Sequence, residues 1–168
     1  NKKLSSTIQF QNVAINPNST CEVMGGTQDN GTWSNNSGCD NDTWNQVVYG
    51  DGGNAGYDKA AAWRFNEFTS GASDSNFTPN ADPEKWVITS APVTRSGEGP
   101  AFYWPQIADP NPVAGAHPIF SGAKHVWRTW AFGAGHPGAV PQDKNPDIAL
   151  YESTCQEFVV SSTQAGCG

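Results

Sequence analysis

Apolar residues along this chain recur in short alternating or continuous runs, almost never at the three-and-four spacing of an amphipathic helix. Ser6–Ile15 alternates through Ile8 and Phe10, then shifts phase to Val13 and Ile15, which predicts a strand interrupted by a bulge or bend. Gln46–Tyr49, Lys85–Thr89, Ala101–Trp104, Lys124–Phe132, Asp147–Tyr151 and Glu157–Ser161 read as further strands. Asp58–Phe68 is the one place where three alanines favour a helix, yet Trp63, Phe65 and Phe68 fit a strand after a short turn. The segments Asn16–Asn45, Gln106–Ala123 and Gly133–Asn145 look loop-dominated. Seven to nine short strands with Gly, Pro, Asn and Asp between them predict an all-β chain. The expected form is one antiparallel β-sandwich domain over residues 1–168, jelly-roll or immunoglobulin-like.

The cysteines refine this picture. Cys21 and Cys39 lie near the start, Cys155 and Cys167 near the end, with none in the 115 residues between. No C-x-x-C spacing points to zinc, so two disulfides in an oxidising compartment are expected. Three connectivities exist. The local pairs Cys21–Cys39 and Cys155–Cys167 are favoured, each closing a loop worth about 3 kcal/mol in the chain-entropy model. The chain opens Asn1-Lys2-Lys3 and runs straight into a strand-like pattern, so a removed secretory leader is expected. The expected location is secreted, extracellular or at the cell surface, with a periplasm also compatible. Five N-x-Ser/Thr triplets, at Asn18, Asn30, Asn35, Asn41 and Asn76, suit a glycoprotein as well as an Asn-rich secreted chain.

Charge excludes several classes. The net charge is −7 and the basic residues are scattered, so no stripe exists to neutralise a phosphate backbone or an anionic membrane. No apolar run reaches 18 residues, so no membrane insertion is expected. A weakly charged surface rich in Gly, Asn, Ser and Thr suits hydroxylated ligands.

The seven Trp, four Tyr and eight Phe then offer chemistry. A flat ring on a sandwich surface can stack on a sugar, and an indole N–H seeks a partner. Tyr103, Trp104, Arg128, Trp130 and Trp44 are the candidate ligand residues. In a strand, His125, Trp127 and Thr129 share one face and Val126, Arg128 and Trp130 the other, with Trp127 placed inside. Asp40, Asp42, Asp51 and Asn54 could supply oxygens to calcium, although the EF-hand order is missing. His117, His125 and His136 are candidate copper or zinc ligands. A glycosidase needs two carboxylates at defined separation. Glu67, Glu84, Glu98, Asp109, Glu152 and Glu157 are available, and an inward carboxylate at strand-borne Glu67 or Glu157 would be unusual. The leading expectation is an extracellular non-catalytic binding domain whose partner is a glycan or other cell-surface component. A histidine metal protein, a small glycan-active hydrolase or lyase, and a structural or adhesive subunit are the alternatives.

Overall fold

The computed structural model describes residues 8–35, 38–39, 43–78, 85–90, 93–94, 97–99, 101–129 and 131–133, and the backbone of 159–160. The chain is all-β, as the alternation predicts, with almost no helix among the described residues. Among the described residues, twelve strands form three four-stranded antiparallel sheets, each ordered as in the sequence. The first holds β1 (Phe10–Asn16), β2 (Ser19–Thr27), β3 (Gly31–Asn35) and β4 (Asn45–Val48). The second holds β5 (Ala55–Tyr57), β6 (Arg64–Glu67), β7 (Ser73–Asn76) and β8 (Val87–Ile88). The third holds β9 (Gln106–Ala108), β10 (Ile119–Gly122), β11 (Val126–Thr129) and β12 (Val159–Val160). No described helix is long and apolar enough to cross a membrane.

The phase shift read in the first run is a register break between Phe10 and Asn12. Asp58–Phe68 is a turn followed by β6, and Trp127 is buried on β11, both as expected. Two expectations are corrected. Asn16–Asn45 carries β2 and β3, so it is not chiefly loop. Gln106–Ala123 carries the short strands β9 and β10 but is chiefly loop and turn, as expected. Ala101–Trp104 is irregular, not a strand. Asp147–Tyr151 lies outside the described residues.

The missed strands have a common cause. Their inward positions hold Gly25, Gly26, Thr27, Thr32, Ser34, Ser121 and Gln106 where large apolar residues would show a period. Buried polar side chains outnumber buried apolar ones among the described residues. Thr32 Oγ1 donates to Asn66 Oδ1 across two sheets, and Ser75 Oγ donates to the Phe132 carbonyl at 2.9 Å. Buried polar groups need such partners.

The second sheet lies between two cores. Ala55 and Tyr57 face Met24, with Ala14, Val47 and Trp86 around them. On the opposite face Phe65 lies over Gly56 and packs with Ile119 and Phe132. Cys21 and Cys39 are bonded, tying β2 to the segment after β3. This is the only disulfide among the described residues, where two were expected for the whole chain; Cys155 and Cys167 lie outside them. Replacing both Cys21 and Cys39 with serine is expected to cost about 3 kcal/mol, read by urea denaturation. No loss would mean that the loop is already ordered without the bond.

Candidate functional site: an aromatic cluster where three loops meet

The loop from β4 to β5 crosses directly over β2. Gly52 donates its N–H to the Thr27 carbonyl at 2.9 Å, and Gly31 donates to the Gly50 carbonyl at 2.6 Å. The backbones touch: a Cβ at Gly26 would lie 2.1 Å from the Gly53 oxygen. Only glycine permits such an approach. The crossing sets Asp51 beside Asp29 and Asn54 beside Glu67, with exposed Tyr49 at the start of the loop. Gly50 lies against the Phe68 ring and Gly53 against the Tyr103 ring. Phe68 opens the β6–β7 connection, a tight 3₁₀ turn over Thr69–Gly71 in which Ser70 adopts φ +60°. The strained Ser70 donates its N–H to the Phe102 carbonyl at 2.9 Å, joining this turn to the segment before β9.

The three loops thereby gather aromatic rings at the surface. Tyr49 is 80% exposed and Phe102 55%. Phe102 meets half-buried Tyr103 edge to face at 4.9 Å. Asp29 and Asp51 border the cluster, joined by an Asp29 N–H to Asp51 Oδ1 bond of 2.9 Å. Burial first, then the charges of Asp51, Asp29 and Glu67, push the Tyr103 phenol up.

Beneath the rings sits Glu67, which has no exposed surface. Its Oε1 accepts the Trp104 N–H; its Oε2 accepts the Asn54 N–H at 3.0 Å and the Asn54 side-chain amide. The same amide also donates to the Trp104 carbonyl at 2.7 Å. One carboxyl therefore clasps both loops that carry the aromatic rings. Burial raises the Glu67 pKa to about 7 against the opposing pull of the bonds from Asn54 and Trp104.

The candidate ligand residues fare differently. Tyr103 belongs to the cluster. Trp104 is fully buried, which corrects its reading as a platform: its neighbours are Val93 and Trp127. Trp44 is 38% exposed and packs against Phe10 with ring centres 5.4 Å apart. Arg128 is half-buried on β11, and Trp130 lies outside the described residues. Asp51 and Asn54 are engaged with protein groups as described; Asp40 and Asp42 lie outside. His117 Nδ1 pairs with buried Asp58 at 2.9 Å while its ring packs at a tilt against Trp63, ring centres 4.4 Å apart. His125 Nδ1 pairs with Glu98 at 2.7 Å. Burial opposes ionisation of Glu98 and is the largest single influence, but bonds from His125 and Trp127 and the His125 charge together outweigh it and lower its pKa. His136 lies outside the described residues. Among the described residues, no three His, Cys, Asp or Glu side chains gather to hold a metal.

Tyr49, Phe102 and Asp29 escaped the sequence reading. Their signal was indirect: the glycines of Tyr49-Gly50-Asp51-Gly52-Gly53-Asn54 mark a close backbone crossing. Elsewhere an open groove of about 490 Å³ is lined by Ile15, Pro17, Tyr57, Lys59 and residues 108–111. Lys59 Nζ donates to Asn111 Oδ1 there at 3.1 Å. No family model matches the chain, and neither a curated protein nor a solved structure matches it.

Proposed function

We propose that this chain is a secreted or cell-surface, non-catalytic domain that binds a glycan at the three-loop cluster. The observation that carries this reading is the exposure of Phe102, in ring contact with half-buried Tyr103, and of Tyr49 on the β4–β5 loop that adjoins Tyr103 at Gly53, both loops fixed from below by Glu67. Exposed rings of this kind offer stacking surfaces, and the Asp29 and Asp51 carboxylates accept hydrogen bonds from sugar hydroxyls. Loops held by a rigid scaffold are where binding residues concentrate, at the end of a β-sandwich as much as elsewhere. The Cys21–Cys39 bond supports an oxidising location. Exposed Asn18 and Asn30 suit glycosylation, whereas Asn76 is fully buried and unsuited to it.

The test is a pull-down on a panel of soluble and insoluble polysaccharides, followed by titration of the one retained. The Tyr49→Ala, Phe102→Ala double variant is expected to bind at least about 10-fold more weakly, or 1.4 kcal/mol, with an unchanged melting temperature. Full affinity in this variant, with loss in Lys59→Ala, would move the site to the groove. Binding to no glycan would remove the proposal.

A further inference from the structure

The third sheet carries an arrangement that the loop cluster does not explain. Register sets Ser121 of β10 opposite Gln106 of β9 on one side and Trp127 of β11 on the other. Directly opposed residues leave the same face of a sheet, so these three side chains share one surface. That surface is interior: Gln106 is 8% exposed, Ser121 1% and Trp127 7%. Trp104 packs on it with Val93. Among the described residues, no protein group bonds either amide atom of Gln106, Oγ of Ser121 or Nε1 of Trp104.

Four such atoms are too many to leave dry. Each was stripped of water on folding, and an unmade buried hydrogen bond costs more than a made one contributes. Their chemistry limits what can satisfy them. The Trp104 and Gln106 N–H groups donate, the Gln106 carbonyl accepts, and the Ser121 hydroxyl does both. A carboxylate would satisfy only the donors and an ammonium only the acceptors; a neutral hydroxyl satisfies both kinds. We propose that this face is a buried binding site for a neutral hydroxyl-bearing ligand, held by Gln106, Ser121 and Trp104 with Trp127 and Val93 as its apolar wall. Ordered water and a small polyol share that chemistry.

Two measurements test the site on the full chain. The first is the melting temperature of the Gln106→Met, Ser121→Ala double variant. If a ligand bridges these groups, the variant loses it and leaves a gap, so the melting temperature falls by about 2–4 °C. If the face is dry, removing three unpaired polar atoms raises it, which overturns the proposal. The second is a high-resolution crystal structure of the unmutated protein, grown without glycerol or sugar, which decides the matter even if the variant does not fold. Density is expected about 2.7–3.2 Å from Trp104 Nε1 and the Gln106 amide. Separate peaks identify water and connected density a co-purified polyol. Protein partners on all four atoms, or no density beside them, would end the inference.

Discussion

Replacing Gly26 with alanine is expected to cost more than about 3 kcal/mol, because the atoms in the way are backbone. The new Cβ would sit 2.1 Å from the Gly53 oxygen, 2.6 Å from the Gly52 carbonyl carbon and 2.7 Å from the Gly53 nitrogen. None of these can swing aside as a side chain would. Relief requires lifting the β4–β5 loop, which breaks the Gly52–Thr27 bond and withdraws Asn54 from Glu67. The damage should therefore reach the proposed glycan binding as well as stability. Gly115→Ala is the comparison. Gly115 has φ +79° with nothing within 4 Å of a Cβ, so it carries only backbone strain, about 1–2 kcal/mol. Urea denaturation of both variants checks the argument. A Gly26→Ala loss no greater than that of Gly115→Ala would show that the crossing is loose.

The second large effect is the pH dependence of stability set by Glu67. Its folded pKa is about 7 against an ordinary 4.5, with burial the leading cause. A raised carboxyl pKa means that the fold prefers the neutral form. Its contribution is complete below about pH 4.5 and is lost as pH rises through about 7, a change of about 3 kcal/mol. Asp74, raised to about 6 by burial alone, acts in the same direction over a slightly lower range. Stability should thus decline between about pH 4.5 and 7, the opposite of a chain held by salt-bridged carboxylates. Glu67→Gln should flatten the upper part of that decline, because glutamine is neutral throughout. Glu67→Ala should be worse at every pH, by about 3 kcal/mol or more, since it orphans the Asn54 and Trp104 N–H groups and leaves a void. Equal pH slopes for the unmutated protein and Glu67→Gln would show that Glu67 does not titrate in this range.

Much of this architecture was legible in the order of residues. Alternation marked β1 and its bulge, Gln46–Tyr49 marked β4, and Lys124–Phe132 marked β11 with Trp127 turned inward. The cysteine spacing favoured the Cys21–Cys39 bond. The odd position of a glutamate in a strand drew attention to Glu67 before its surroundings were known. What escaped was the polar interior. β2, β3, β7 and β10 place glycine, serine, threonine and asparagine inward, and a pattern built from such residues reads as loop.

The site shows the same division. Sequence by itself determined that the chain is β-structured, with cysteines confined to its two ends, weakly charged and rich in aromatic rings. It could not sort exposed rings from buried ones, because neighbouring residues meet different fates: Tyr103 lies at the surface cluster and Trp104 is wholly enclosed. That outcome depends on Glu67 holding the Trp104 N–H from 37 residues away. Hydrogen bonds and backbone crossings between distant segments have no local signature, so only the tertiary structure decided which aromatic rings reach the surface and which carboxyl holds their loops there.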